Sequence, residues 1–385
     1  MHPVDSPEEA AFRAEARRWL EQNASRRSRP PVAPSAIVAE WKPEEEEARL
    51  AEARRWQATK FDAGWAGIAW PTEYGGRGGT IYQQHVFDEE EAAFDVPRDA
   101  LVVGLGWCGP AILHLGTPEQ RRRFLPPMLR GDEMWCQLFS EPGSGSDLAS
   151  LATKAHRDGA DWVLEGEKTW STFAHHADWG LCIARHGPDR HRGLTAFLVD
   201  MNSPGVVVTP IRQMTGAANF NQVYLDGVRV PDRLRLGEIG DGWRVVITTF
   251  MYERVAAYLP VRQVVEAARP LVSTSHPSRR ARWTRAFITA RVLELLRLRQ
   301  ITALHDGVPG PHGSLIKLAG TLLLDQVYDL GLDAFGPAGM VATGGAGEWV
   351  DAFLGTPGLR IGGGTDQIQR NIIAERILGL PRDPR

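Results

Sequence analysis

The sequence predicts an α+β protein. A helical N-terminal domain (1–131) and a C-terminal four-helix bundle (235–385) flank a central antiparallel β-sheet or barrel (132–234). Apolar residues recur at helical spacing on both flanks, short β-branched and aromatic runs broken by turn dipeptides fill the middle, and capping motifs mark helix starts. With 385 residues the chain can form two or three packed units and enclose a water-excluded site.

Ser6-Pro7-Glu8-Glu9 places a capping hydroxyl, a first-turn proline and a returning carboxylate in the order a helix start requires, and Phe12, Ala16, Trp19 and Leu20 follow at helical spacing. Residues 24–44 read as a loop and Glu44–Lys60 as a charged helix. Trp70–Gly79 is a turn-dense connection. The apolar stretch Leu101–Gly116 is too short for a membrane span and is broken by glycines, Pro110 and His114, so a buried helix is expected. Thr117-Pro118-Glu119-Gln120 opens another helix, expected to stop near Leu125, before Pro126-Pro127. From Glu133 to Pro231 about six short strands are expected, among them Leu194–Val199 and Val206–Ile211. Asp158-Gly159 and Asp226-Gly227 are expected as two-residue hairpin turns. Helices are expected again over Trp243–Leu259, Ala286–His305, Gly313–Ala334 and Thr365–Leu378, and the arginine-rich Ser278–Arg285 reads as a solvated loop.

A net charge of −3 gives no electrostatic reason to expect nucleic acid, and 13 tryptophans signal wide apolar walls. Cys108, Cys136 and Cys182 are odd in number and far apart in sequence, which suits neither a disulfide framework nor a zinc site. The opening MHPVDSPEEA is acidic where an export signal would be basic, so a cytoplasmic protein is expected.

Four segments carry chemistry. Trp135–Asp147 leads a strand into a loop of small and hydroxyl residues, able to bring backbone N–H groups and Ser146 close to an anionic or heteroaromatic ligand; it matches neither a Walker loop nor Rossmann spacing. Lys168-Thr169-Trp170-Ser171-Thr172 sets an indole beside two hydroxyls at a strand end. Ile361–Arg370 runs three glycines into a helix start, which suits a phosphate or developing oxyanion. Each alone also reads as an ordinary turn, strand or cap. On the helix from Trp243, Val246, Phe250, Glu253 and Ala257 share one face, placing a carboxylate in an apolar stripe. Burial there favours a raised pKa suited to a general base, with Arg254 acting oppositely; a surface ion pair is the plainer alternative.

Together these segments resemble the acyl-CoA dehydrogenase family over nearly the whole chain. Trp135–Asp147, EGEKTWST at Glu165–Thr172, and GTDQIQRNIIAERILGL at Gly364–Leu380 are similar to its signature regions. The resemblance implies FAD as cofactor, an acyl-CoA substrate and an electron-transferring flavoprotein as partner. It implies that Gln137, Phe139 and Ser140 border the isoalloxazine, that Trp170 flanks it, and that Thr172 hydrogen-bonds near N5. Ser146 would meet the pyrophosphate or the acyl-CoA, and Thr365 and Gln367 the adenosine or pyrophosphate half.

Two departures shape the expectation. The position directly before Gly364-Thr365, where many members carry the catalytic glutamate, is Gly363; Glu253-Arg254 resembles a second arrangement with the base on the helix. Glu253 is therefore the expected base, Arg254 would position base or thioester, and the Gly363 and Gly364 backbone would meet the thioester. Paired glycines and a relocated base suggest room for branched or ring-bearing acyl groups. An Arg-x-x-Phe segment that in many relatives reaches a neighbouring subunit is not evident between Arg262 and Arg285, which leaves a homo-oligomer or a heterotetramer open. A partner-dependent, non-catalytic subunit and an acyl-CoA oxidase are the alternative readings.

Overall fold

In the computed structural model, residues 5–30, 41–256, 261–272, 276–304 and 310–382 are described. Along the chain, helices precede a sheet and helices follow it. Spatially the chain groups into two compact units: one built from 1–36, 63–97 and 258–385, the other from 37–62 and 98–257.

The first unit holds α1 (Pro7–Asn23), α3 (Ile81–Glu91) and α7–α11 (Val261–Ala268, Pro277–Leu304, Gly313–Phe335, Gly347–Ile361, Asp366–Ile372). The Ser6/Glu9 capping box forms as expected, with Glu9 N–H donating to Ser6 Oγ at 3.2 Å and Ser6 N–H to Glu9 Oε2 at 2.6 Å. Phe12, Ala16 and Leu20 bury the inner face of α1. Phe12 and Phe87 meet Trp65 at 5.6 and 5.2 Å between ring centroids, and Arg77 lies over the same indole at 4.3 Å. In the C-terminal part α9 is central, with α7, α8, α10 and α11 all packed on it.

The second unit holds α2 (Pro43–Asp62), α4 (Gly109–Leu115), α5 (Pro118–Arg130), the sheet, and α6 (Gly242–Ala256). Its strands are β1 (Trp135–Leu138), β2 (Lys154–Asp158), β3 (Asp161–Thr172), β4 (Trp179–Arg185), β5 (Leu194–Asp200), β6 (Val206–Ile211), β7 (Phe220–Pro231) and β8 (Arg235–Leu236). The order is β6-β7-β3-β2-β4-β5-β8, with β1 added on β4. Most pairs are antiparallel, but β1 and β2 both run parallel to β4, so the sheet is mixed. Among the described residues no helix is long and apolar enough to cross a membrane. Leu101–Gly116 is helical and largely buried, with a wide π turn at Val103–Cys108 before α4.

Several sequence expectations are corrected. Helix α5 opens with its Thr117/Gln120 capping box but does not stop at Leu125; it passes through Pro126-Pro127 to Arg130 and ends at left-handed Gly131. Packing overrides the prolines: Leu125, Met128 and Leu129 are buried, and Phe124 sits edge-on to Trp135 and Trp179 at 5.4 and 4.9 Å. Asp226-Gly227 is no hairpin turn. It is a bulge inside β7, where Leu225 and Val228 pair with Gly166 and Leu164, leaving one extra residue on β7 and Gly227 at φ 65°. Asp158-Gly159 does begin the β2–β3 hairpin. Ser278–Arg285 is not a loop but the opening turns of α8, held by Arg279 and Arg282 on Asp333 and Asp329 of α9. Leu259 and His305, expected helix ends, lie outside the described residues, as does part of Ser273–Arg280. The three cysteines, distant in sequence, share one buried region: Cys108 Sγ lies 3.8 Å from the Cys136 carbonyl, and β1 sets Cys136 and Leu138 beside Gly180 and Cys182 of β4.

Candidate active site

In the sheet-bearing unit, the chain leaves β1 at Phe139 and turns at once, with Glu141 and Ser144 exchanging backbone hydrogen bonds of 3.0 Å. A single lysine holds this turn. Lys168 on β3 is fully buried, and its Nζ donates to Glu141 Oε1 at 2.8 Å, the Ile183 carbonyl at 2.8 Å and the Phe139 carbonyl at 3.2 Å, which uses all three ammonium protons. Glu141 also accepts the N–H groups of Ala152 and Thr153 at 2.5 and 2.9 Å. Burial alone would raise the Glu141 pKa, but the Lys168 charge and these donors hold it below the ordinary carboxylate range. Sequence reading assigned neither residue a role. The available signal was a lysine at an inward position of a strand.

Next to the clamp, Thr169 N–H donates to the Ser140 carbonyl at 2.8 Å. Lys168 pairs with Val223 and Ser171 with Asn221, so β3 carries one extra residue there, a second bulge. Trp170 sits on it in the left-handed region at φ 59° and is 59% exposed, with Phe220 edge-on behind it at 5.9 Å. Holding a bulky residue there costs on the order of 1–3 kcal/mol, strain that clusters where a side chain must face a ligand. Thr172, two residues on, is buried; Ser140 and Gln137 are half-buried and Ser146 exposed. Gln137 Nε2 and Ser171 Oγ are buried without a hydrogen-bond partner among the described residues. A presented indole, hydroxyls and an unsatisfied amide donor suit a flat heteroaromatic ring bearing acceptors, so the residues present fit a flavin.

Helix α6 begins flush against the sheet: a Cβ on Gly242 would lie 2.5 Å from the Leu194 carbonyl carbon. Val245, Val246 and Thr249 bury its inner face, and Glu253 continues that face at 6% exposure. Ala257, the last residue of the expected stripe, lies outside the described residues. Phe250 packs edge-on against Phe139 at 5.9 Å, and the Tyr252 hydroxyl meets His114 Nε2 at 2.6 Å, so α6 is fixed to both the turn after β1 and α4. Glu253 lies close enough to Cys108 that its charge, after burial, pushes the thiol pKa up. Burial pulls the Arg254 pKa down and Glu253 opposes that pull, while Arg254 Nε is buried without an acceptor among the described residues. The arrangement is a buried acid followed in sequence by a partly buried arginine, on the helix that touches Phe139.

In the all-helical unit, Gly363 and Gly364 both take left-handed φ, 64° and 88°. Buried Gln369 folds back so that Nε2 donates to the carbonyls of Gly363 and Gly364 at 2.9 and 3.2 Å, and Lys317 Nζ reaches the Gly364 carbonyl at 2.7 Å. A Cβ on Gly364 would lie 2.7 Å from Gln369 Nε2. Thr365 caps α11, accepting Ile368 N–H at 3.2 Å; Gln367 is exposed. Gln369 and Lys317 were missed in the sequence because their targets are backbone carbonyls.

Three domain families match in chain order: acyl-CoA dehydrogenase N-terminal domain over 6–132, middle domain over 136–228 and C-terminal domain over 240–378. Acyl-CoA dehydrogenase IpdE1 of Mycobacterium tuberculosis is 38% identical, covering 97% of this chain and 98% of that protein. Acyl-CoA dehydrogenase FadE34 of the same organism is 42% identical over 88% of this chain, which spans only 47% of FadE34. Among solved structures, the ChsE4-ChsE5 complex of M. tuberculosis aligns at TM-score 0.81 and 29% identity over 99% of this chain and 100% of that one. The Tcur3481-Tcur3483 steroid ACAD aligns at 0.79 and 26% over 100% of both. The chain belongs to the acyl-CoA dehydrogenase family of flavin-dependent oxidoreductases.

Proposed function

We propose that this chain dehydrogenates an acyl-CoA thioester across its α and β carbons to a trans-2-enoyl-CoA, with FAD as cofactor and Glu253 as base. The observation that carries the reading is Glu253 itself: an acid 6% exposed, beside Arg254, on the helix whose Phe250 packs on Phe139. Bound FAD would supply the acceptor for the hydride that leaves the β carbon.

Glu253 takes the α proton; the C–H electron pair becomes the new double bond as the β hydrogen departs with its own pair. Burial would leave the carboxylate less solvated, the direction a base needs toward an acid as weak as a thioester α carbon. Arg254 would position the base or the thioester. Trp170 would cover one side of the isoalloxazine, with Thr172, Ser140 and Gln137 giving it hydrogen bonds, and Ser146 would meet the pyrophosphate or the acyl-CoA. Lys168 and Glu141 hold that surface in shape. The family resemblance assigns Thr365 and Gln367 to the adenosine or pyrophosphate half of FAD, and the Gly363 and Gly364 backbone to the thioester oxygen.

The acyl group we propose is bulky and ring-bearing. Gly363 lacks the side chain many relatives carry, and the chain resembles a protein named as a steroid ACAD and, at 32% identity over 54% of its length, a cyclohexane-1-carbonyl-CoA dehydrogenase of Syntrophus aciditrophicus. Its likeness to a ChsE4-ChsE5 complex supports assembly with a second copy or a related subunit. An electron-transferring flavoprotein would reoxidise the flavin in the cytoplasm, a location with which three free thiols accord.

The test is flavin bleaching against a panel of acyl-CoAs, for the chain alone and with a related subunit. Glu253→Gln should keep its yellow colour and lose 10²- to 10⁴-fold in rate, about the worth of a general base. Wild-type rates in that variant, or a preference for short straight chains, would refute the assignments. Peroxide release without an added acceptor would point to an oxidase instead.

A further inference from the structure

Away from the proposed catalytic residues, α2 and the turn after β3 bring together a buried carboxylate and two adjacent imidazoles. Glu46 is almost wholly buried; Glu46 Oε1 lies 2.8 Å from His175 Nε2 and 3.2 Å from His176 Nε2. The turn has a His176 N–H to Phe173 carbonyl bond of 3.0 Å, which sets the two rings 4.2 Å apart on one side. Both histidines remain partly open to solvent, so an ion can enter.

The hydrogen-bond roles are over-determined. Asn221 Oδ1 accepts the His175 backbone N–H at 2.8 Å, so that atom is an oxygen. His175 Nδ1, 2.7 Å from the same oxygen, must then carry the ring hydrogen. In a neutral imidazole, Nε2 is left as a bare lone pair beside a carboxylate oxygen, an arrangement that only an added cation relieves. A second ring proton is one candidate, but Glu46 Oε1 accepts no well-directed hydrogen bond despite two ring nitrogens within 3.2 Å. A proton needs the oxygen on the N–H line. A metal ion needs it to one side, with ligand atoms about 3 Å apart for bonds of about 2.0–2.2 Å. Metal-binding histidines are likewise held by an oxygen acceptor on the far ring nitrogen, the place Asn221 Oδ1 takes here.

We propose that Glu46, His175 and His176 form a binding site for a zinc-class divalent transition metal, with Asn221 fixing the His175 tautomer and water completing the shell. Two imidazoles and one carboxylate suit zinc or a neighbouring transition metal over magnesium or calcium, which prefer all-oxygen sites. Occupancy would tie α2 to the turn that follows Trp170 and Thr172.

The test uses the full chain, freed of any affinity tag and stripped with a chelator. Zn²⁺ is titrated against a chromophoric chelator, thermal unfolding is recorded with and without Zn²⁺, and Mg²⁺ is the control. One equivalent of Zn²⁺ should bind and raise Tm, Mg²⁺ should do neither, and Co²⁺ should give visible bands that Zn²⁺ removes. His176→Ala changes a partly exposed side chain, and its fold is checked by its Tm without metal; it and Glu46→Gln should each weaken Zn²⁺ binding at least tenfold. Absence of Zn²⁺ binding in the wild type would overturn the site and leave an ion-paired imidazolium. Unchanged Zn²⁺ affinity in the Glu46→Gln, His175→Ala, His176→Ala triple variant would overturn it as well, placing the metal elsewhere.

Discussion

Lys168 shows how one residue organises the turn after β1. Removing one partner from a buried, hydrogen-bonded ion pair leaves the other charge uncompensated, so Lys168→Met should cost about 3–5 kcal/mol, read by urea unfolding. Glu141 adds a pH signature. Its folded-state pKa lies below the ordinary value, so its stabilisation is present above that value and is lost as pH falls through the folded pKa. Glu141→Gln should flatten the acid limb of the stability curve while lowering its neutral plateau; an unchanged acid limb would remove Glu141 from the account. The thiols behave oppositely: burial pushes Cys108, Cys136 and Cys182 upward, so native protein at pH 8 should react with a thiol reagent only upon unfolding. At this scale the sequence is legible where a pattern is local. Glu253 stood out because helical spacing placed it in an apolar stripe. Lys168 did not, because its partners come from β4 and the turn after β1, and no local pattern encodes a long-range acceptor.

At the scale of elements, starts were easier to read than stops. Capping boxes at Ser6 and Thr117 are written in four residues, and both form. The stop expected at Pro126 failed because the aromatic contacts of Phe124 lie outside any helical window. Prolines 126 and 127 each remove a backbone donor from α5, so Pro126→Ala should stabilise the protein, by an amount below the roughly 3 kcal/mol proline penalty in a free helix, and raise Tm. A lowered Tm would mean that the ring's packing outweighs the restored bond. The bulge in β7 makes a sharper case. A Cβ on Gly227 meets nothing within 4 Å, so the cost of Gly227→Ala is purely conformational, about 1 kcal/mol, and Gly227→Asn should cost less because Asn tolerates the left-handed region. The dipeptide reads in the sequence as a hairpin turn; whether the chain reverses or kinks there depends on β3 and β6 lying alongside.

At the scale of the molecule, helix-sheet-helix order is legible because it is a property of contiguous segments. The grouping by contact is not, since the sheet-bearing unit recruits 37–62 from far upstream. Leu50 and Ala53 of α2 pack with Ala100, Leu101, Met134 and Phe173 in one cluster. A fragment of 98–257 alone should therefore expose that cluster, bind a hydrophobic dye and unfold without a sharp transition, whereas cooperative unfolding of the fragment would show α2 to be dispensable.

The parallel pairing of β1 with β4 sets a timetable. The β2–β3 hairpin closes over a two-residue turn, but Trp135 reaches Trp179 only after that hairpin and the turn bearing the two histidines have been laid down between them. Short loops close first and distant strands late. The surface proposed to meet the isoalloxazine should accordingly be among the last parts of a nascent chain to take shape, and a refolding experiment should recover far-UV ellipticity well before it recovers colour from added FAD.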